Sequence, residues 1–189
     1  GELALAHRGV LFLDELPEFH RDTLECLRMP LEERVVRLAR AHGYVEFPAD
    51  CAVAAAMNPC PCGWHGSRVR SCRCPYGKPE RYRGRVSGPL LDRLELQVEL
   101  TALPFAQWAG AEGPAPEPSS KVRARVTLAR AVASRRQGVL NARLSPAQVR
   151  ALGEPEPDGR RLLAEAAGRG ALSPRSLDRV LRVALTAAD

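Results

Sequence analysis

The sequence predicts an α/β segment from residue 1 to about 104 and a small helical segment from about 121 to 189. Three observations predict this division. Short apolar runs in the first part end in polar residues, as the buried strands of parallel sheets do. Apolar residues recur at helical spacing in the last part. Between the two, residues 105–120 hold three prolines and several small residues, which predict a linker.

Five short runs predict the strands of the first segment. The apolar runs 9–13 and 51–57 predict strands that are buried on both faces. The run 94–100 leads away from a polar turn and predicts a third strand. The alternating runs 34–38 and 43–47 flank an Ala-His-Gly turn and predict a hairpin.

Prolines and serines mark the predicted helices. Pro17 begins a helix that extends to about residue 33, and Pro30 bends it or ends it early. A further short helix is predicted over 80–86. In the second segment, Ser145 and Ser173 each precede a proline, the pattern of an N-cap residue before the first helical position.

Composition bounds the class of protein. Hydrophobic residues make up 45% and charged residues 26%, which is ordinary for a soluble globular protein. No apolar run reaches the roughly 18 residues that a membrane span needs. The chain begins with Gly1 and shows no secretory signal, so we expect a cut or processed end. Six cysteines without such a signal favour a reducing compartment, the cytoplasm.

The positive charge is carried almost entirely by arginine. The net charge is +6, and lysine occurs only at Lys78 and Lys121. This bias suits phosphate recognition, because the guanidinium fork matches phosphate oxygens. A GC-rich genome produces the same bias, so charge alone does not establish nucleic-acid binding.

An apolar strand that ends in two acids is the main catalytic signal. Asp14 and Glu15 follow the run 9–13 and therefore lie at the carboxyl edge of the predicted sheet, where ligands of open α/β sheets bind. In P-loop motors the first acid holds the Mg²⁺ of Mg-ATP, and the second acts as a general base toward water. The alternative is a strand followed by an acidic helix start.

Four of the six cysteines form two Cys-x-Cys pairs nine residues apart, and four thiolates can close a tetrahedral zinc site. The quartet is Cys60, Cys62, Cys72 and Cys74. One intervening residue is tighter than the usual Cys-x₂-Cys, so free thiols remain the alternative, with His65 as a possible substitute ligand. The arginines at 68, 70 and 73 would offset the charge of such a site. We expect the other two, Cys26 and Cys51, to be small buried hydrophobes.

Four blocks in chain order carry a family resemblance: residues 1–16, 55–63, 84–93 and 172–179. In these blocks the chain resembles the magnesium-chelatase-like AAA+ ATPases, most closely their bacterial competence-protein (ComM/YifB) branch, from the Walker B region onward. The resemblance implies a P-loop AAA+ core whose parallel sheet lacks the Walker A strand, followed by a helical lid. It implies ATP and Mg²⁺ as cofactors, and many members of that branch carry the same cysteine quartet.

The resemblance also implies residue roles. Asp14 would hold Mg²⁺, Glu15 would activate water, and Asn58 would be the sensor-1 residue that holds this water or the γ-phosphate. Arg93 would be the arginine finger inserted into a neighbouring subunit, and Arg175 would be the sensor-2 arginine of the lid, in its own or a neighbouring subunit. The predicted hairpin would project toward the pore of a homo-oligomeric ring, expected to be a hexamer. Its candidate contacts to single-stranded or branched DNA are Arg37, Arg40 and His42.

Each role has a structural alternative. Asn58 before a proline could end a strand as a turn residue. Arg93 could pair locally with Asp92 or Glu95. Arg175 could be a solvated residue, although a cation is poorly placed in a first helical turn. The hairpin arginines could form an ordinary solvated edge.

Three functions follow from these observations. The first is an ATPase subunit of a DNA helicase that promotes branch migration in natural transformation and recombination. The second is a magnesium-chelatase motor subunit. The third is a non-catalytic module that binds zinc and nucleic acid, which leaves Asp14 and Arg93 unexplained. The sequence contains no Walker A motif, and Gly77-Lys78 is its only Gly-Lys pair. We expect that loop upstream of Gly1, and we expect the 189 residues alone to be inactive and to fold without full cooperativity.

Overall fold

The structure is a computed structural model that describes residues 1–103, 105–110, 115–169 and 172–189. The chain forms two compact units, Gly1–Thr101 and Ala102–Asp189. The described elements of the first unit are, in chain order, α1 (Glu2–Leu5), β1 (Val10–Leu13), a 3-10 turn (Leu16–Glu18), α2 (Arg21–Cys26), α3 (Arg28–Glu33), β2 (Val35–Arg40), β3 (Gly43–Pro48), β4 (Ala52–Ala55), α4 (Lys78–Arg83) and α5 (Gly88–Leu91).

Two small sheets organise the first unit. β1 and β4 pair in parallel, with Val10 opposite Ala52 and Leu13 opposite Ala55. β2 and β3 form the predicted antiparallel hairpin, which closes with Arg40 opposite Gly43. A parallel pair needs a long crossover, and residues 14–51, which include the hairpin, supply it.

One face of the parallel pair is covered by a leucine cluster. The cluster contains five buried side chains from the 3-10 turn, α2, α5 and the residues next to these helices: Leu16, Leu24, Leu27, Val86 and Leu90. Leu13 of β1 and Leu94 pack against it. The opposite face is open: Val10 is 67% and Phe12 is 61% exposed. The prediction that these strands are buried on both faces is therefore wrong for the described chain, because no described element packs over the second face.

Local order differs from the sequence prediction in three places. The predicted helix 17–33 is divided into the 3-10 turn, α2 and α3, and it continues past Pro30 to Glu33. The helix predicted over 80–86 is α4, which begins and ends earlier, at Lys78 and Arg83. Cys26 is exposed and Cys51 is half-buried, so the prediction of two buried cysteines is wrong.

The third predicted strand does not form. Residues 94–100 take no regular structure, and Leu96, Val98 and Leu100 are exposed. A strand is stable only when a neighbouring strand satisfies its backbone groups. In the described residues no strand lies beside this run, so its alternating pattern has no partner.

The second unit is helical. Its described elements are α6 (Phe105–Trp108), α7 (Ser119–Gln137), a 3-10 turn (Asn141–Arg143), α8 (Pro146–Leu152), α9 (Pro157–Gly168) and α10 (Pro174–Ala188). Both predicted N-caps are confirmed: the Ser145 hydroxyl accepts from the Gln148 amide, and the Ser173 hydroxyl accepts from the Ser176 amide. Each cap satisfies a backbone N–H that the first helical turn leaves without a partner.

A buried polar residue joins three parts of the second unit. Asn141 is 4% exposed, and its amide group donates to Thr186 and Asp189 of α10 and its end. Its carbonyl oxygen accepts from Arg136 and Gln137 at the end of α7. Both polar atoms of its side chain are thus satisfied, as burial of an amide requires.

The predicted linker 105–120 is described only in part. Residues 111–114 lie outside the described residues, α6 occupies its start, and α7 begins at Ser119. None of the helices in the described part of the chain has the length and apolar character needed to cross a membrane.

Candidate functional site

The two acids lie where β1 ends. Asp14 and Glu15 are both exposed, and the Asp14 carboxylate accepts a hydrogen bond of 2.8 Å from the Glu15 amide. Glu15 has a φ of 50° and a ψ of 45°, a left-handed conformation that is uncommon outside glycine. It is held there because the next residue, Leu16, is buried and donates its amide to the Ala56 carbonyl at 3.0 Å. Strained backbone of this kind is concentrated at functional sites.

Asn58 lies at the same edge of the sheet as the acids. The parallel pairing continues past β4, because the Ala56 amide donates to the Leu13 carbonyl at 2.9 Å. Asn58 follows two residues later and is exposed. An acid pair and an amide therefore leave the carboxyl ends of two adjacent parallel strands, where their side chains can meet one ligand.

Arg93 is tied down inside its own chain. Its guanidinium donates to the Arg28 carbonyl at 3.0 Å, to the Pro89 carbonyl at 2.6 Å and to the Glu32 carboxylate at 2.6 Å. Its side chain is only 15% exposed. These bonds clamp α5 to α3, so in this conformation the arginine holds the unit together.

Arg175 is the second residue of α10, which places a cation in the first turn of a helix. Its side chain is exposed. It belongs to the second unit, whereas the two acids, Asn58 and Arg93 belong to the first.

The hairpin arginines differ in their environment. Arg37 pairs with Glu33 and, at 2.6 Å, with Glu46, and these two acids raise the pKa of its guanidinium above the usual value. Arg40 and His42 lie at the exposed turn of the hairpin. Because two carboxylates compensate the charge of Arg37, its guanidinium attracts a phosphate less strongly than that of Arg40.

The four cysteines of the quartet converge. The Sγ atoms of Cys60 and Cys62 are 3.4 Å apart, those of Cys62 and Cys72 are 3.6 Å apart, and those of Cys60 and Cys72 are 3.7 Å apart. All four sulfurs, including that of Cys74, lie within 4.8 Å of one another. A tetrahedron with Zn–S bonds of about 2.3 Å has sulfur–sulfur edges of about 3.8 Å. The quartet therefore fits a zinc ion.

The thiols of the quartet are not equivalent. Backbone N–H groups, first that of Arg73 and then that of Trp64, lower the pKa of Cys62 to about 6. Loss of solvent contact, together with the neighbouring sulfurs, raises the pKa of Cys74 to about 12. The Cys62 sulfur thus favours the thiolate and the Cys74 sulfur favours the neutral thiol, and a cation bound among them would favour the thiolate at both.

Two contacts of the site residues and the cysteine loop were not predicted from the sequence. Glu32 is the acid that pairs with Arg93 across 61 positions, in place of the nearby Asp92 or Glu95 that the local alternative named. The Arg70 guanidinium lies 5.1 Å from the centre of the Trp64 ring. No local pattern signals the first contact, whereas the second joins residues of one short loop.

Comparison with known families covers nearly the whole chain. The model for magnesium chelatase, subunit ChlI, matches residues 1–108, and the model for the C-terminal part of the same subunit matches residues 116–189. The boundary between the two matches falls within the proline-rich stretch of the sequence.

Similar proteins occur in several bacteria, and the alignment with each of them covers all of this chain. An uncharacterized protein of Mycobacterium tuberculosis is 42% identical, the uncharacterized protein YifB of Escherichia coli is 40% identical, and the competence protein ComM of Haemophilus influenzae is 39% identical. The chain spans 36% to 37% of the length of these relatives. The chain therefore belongs to the magnesium chelatase ChlI-like family of AAA+ ATPases, with YifB and ComM among its relatives.

Proposed function

We propose that residues 1–189 supply the water-activating and sensor residues of an ATP-driven motor subunit. The observation that carries this proposal is the position of Asp14, Glu15 and Asn58 at the same edge of the parallel pair. These residue types at that position match the needs of nucleotide hydrolysis. Family membership supports ATP and Mg²⁺ as the cofactors.

The chemistry of the acids follows from their surroundings. One oxygen of Asp14 accepts the Glu15 amide, which leaves the other oxygen for a metal ligand. Asp14 would therefore hold Mg²⁺, which neutralises charge on the phosphates of the bound nucleotide. Glu15, turned into the left-handed conformation, accepts a proton from the attacking water, and Asn58 orients that water or the γ-phosphate.

The two arginines act on the phosphate from outside this edge. We assign Arg93 as the arginine finger and Arg175 as the sensor-2 residue, each stabilising negative charge on the transferred phosphoryl group. To reach a neighbouring subunit, Arg93 has to leave Glu32 and two carbonyl acceptors. Release of this clamp would then accompany ring assembly.

The motor that we favour is a ring-forming DNA helicase that promotes branch migration. We expect it to be a cytoplasmic homo-oligomer with six subunits. The relative named competence protein ComM supports this choice. Arg40 and His42 at the open turn of the hairpin, with Arg37 behind them, are its proposed DNA contacts. A magnesium-chelatase motor is the second candidate, because the matching family models carry that description.

The decisive experiment measures ATP hydrolysis by a longer protein in which a phosphate-binding loop precedes residue 1. We expect turnover that rises with single-stranded or branched DNA and falls at least 100-fold in Glu15→Gln, since that change removes the base but keeps the size of the side chain. Glu18→Gln, a nearby exposed acid, is the control and should keep full turnover. Turnover indifferent to DNA would favour the chelatase motor, and no turnover at all would contradict both.

We further propose that the quartet holds one structural zinc ion. The loop between β4 and α4 has few buried apolar side chains to order it, and a metal supplies that order instead. Purified protein should contain one zinc per chain, and a chelator should speed tryptic cleavage after the three loop arginines, because trypsin cuts a disordered backbone faster than an ordered one. Cys62→Ser should lose the metal, while Cys26→Ser, an exposed cysteine outside the quartet, should retain it. Retention of zinc by Cys62→Ser would contradict the assignment.

A further inference from the structure

The loop between β4 and α4 is basic and contains no acid. We call residues 56–77 the Cys loop. It contains Arg68, Arg70 and Arg73, and Lys78 follows at the start of α4. No aspartate or glutamate occurs between Asp50 and Glu80. The four cations therefore lie in the longest acid-free basic stretch of the first unit.

These cations are available to a ligand. All four are exposed, and among the described residues none of them pairs with an acid. Arg37 of the hairpin is the contrast, because two glutamates compensate it. A zinc-bound quartet would carry a charge of about −2, which leaves the Cys loop and Lys78 with a positive surplus.

Two aromatic rings accompany the cations. Tyr76 is fully exposed, so its ring packs on nothing in its own unit. Trp64 is half-buried and carries Arg70 over its ring at 5.1 Å. An exposed aromatic ring in a loop whose arginines have no acid partner matches the needs of single-stranded nucleic acids, which place phosphates on cations and stack bases on rings.

We infer that the Cys loop is a contact surface for single-stranded DNA, with Arg68, Arg70 and Arg73 on phosphates and Tyr76 on a base. This inference rests on the proposed DNA motor for its ligand. It adds a surface that is separate from the hairpin, and the convergence of the cysteine sulfurs holds that surface in one shape. An anionic membrane is a poorer match, because the loop offers no amphipathic helix to enter a lipid interface.

The test is binding of a fluorescent 20-nucleotide oligo-dT to the zinc-loaded 189-residue chain by anisotropy. We expect R68Q/R70Q/R73Q to weaken binding at least tenfold at low salt. The slope of log K against log salt should become shallower by about 2, since each phosphate contact to a single strand contributes about 0.7. Tyr76→Ala should weaken binding about tenfold, and Tyr76→Phe should preserve it because the ring remains.

A matched control separates this surface from general charge. R123Q/R130Q/R135Q removes the same charge from exposed positions of α7 and should change binding less than twofold. Trp108→Phe leaves Trp64 as the only tryptophan, and its fluorescence should be quenched by the oligonucleotide. Equal losses in the two triple variants, or binding of anionic vesicles as tight as that of DNA, would overturn the inference.

The outcomes for the motor and for the surface can be told apart. If the longer protein hydrolyses ATP in a DNA-stimulated manner but the Cys-loop variants bind oligo-dT normally, the surface is wrong and the motor stands. If the longer protein shows no ATPase activity while the Cys-loop variants alone lose oligo-dT binding, the motor is wrong and the surface stands.

Discussion

Two runs of the first unit have the pattern of a strand, but only one of them forms a strand. Residues 10–13 pair with 52–55 and form a regular parallel ladder. Residues 94–100 alternate between apolar and polar side chains just as a strand would, yet they form no strand. The difference teaches that an apolar pattern predicts what a segment can do, whereas a neighbouring strand decides whether it does so.

The family resemblance explains which neighbour the second run needs. In the fold that it implies, the Walker A strand lies between the strand of Asn58 and the strand that follows Arg93. The sequence contains no Walker A motif. We propose that residues 94–100 are irregular because the 189 residues do not include such a partner strand.

The largest expected effect is on hydrogen exchange of the unpaired run. In the 189-residue chain, amides of residues 95–100 should exchange at nearly the rate of an unfolded chain, because none donates to a described backbone carbonyl. In a longer protein that carries the Walker A strand, their exchange should slow by about 1,000-fold or more, because they then join the ladder. Mass spectrometry after deuterium labelling measures both, and equal rates in the two proteins would contradict the comparison.

The next effect compares the packed helix α5, which precedes the run, with the exposed run itself. Leu90 is 2% exposed in the leucine cluster, so Leu90→Ala should lower the free energy of unfolding by about 2–5 kcal/mol. Leu96 is 72% exposed, and Leu96→Ala should change it by less than about 0.5 kcal/mol. Hydrogen exchange of the amides beside the leucine cluster in the 189-residue chain measures both values, because it reports opening free energies without requiring two-state unfolding. Similar losses in the two variants would show that the run is packed after all.

The smallest effect concerns the clamp at the start of the run. Arg93→Gln removes donors to Glu32 and to two carbonyls, so it should cost about 1–2 kcal/mol of stability. Arg85→Gln breaks an exposed pair with Glu18 and one hydrogen bond to the Pro17 carbonyl, and it should cost about 0–1 kcal/mol. The same hydrogen-exchange experiment compares the two variants. A larger loss for Arg85→Gln would remove Arg93 from its structural role in this conformation.

Local signals predicted much of the fold. The hairpin and the two serine caps are set by neighbours in the chain, the two parallel strands were indicated by their own apolar runs, and the structure contains all of these elements. The division of the predicted helix 17–33 was not predicted, because Leu24 and Leu27 follow one helical pattern although Leu24 lies in α2 and Leu27 lies at the junction between α2 and α3. Burial of both into the leucine cluster, a tertiary contact, determines where each helix lies.

The candidate site divides in the same way. The order of Asp14, Glu15 and Asn58 after two apolar runs predicted one shared edge of a sheet, because parallel strands align their carboxyl ends. The spacing of the cysteines indicated a metal site but did not exclude four free thiols. The sulfur separations of 3.4 to 3.7 Å show a fit that spacing alone could not establish.

The sequence by itself determined the family, the acid pair at the end of a strand, the caps and the ligand set of the quartet, because each depends on residues close together in the chain. Only the tertiary structure decided that Arg93 is bound to Glu32, 61 positions away, and that no acid among the described residues pairs with Arg68, Arg70 or Arg73. The physical reason is that the charge available to a ligand depends on every group that lies nearby in space, and the fold brings those groups together from distant positions.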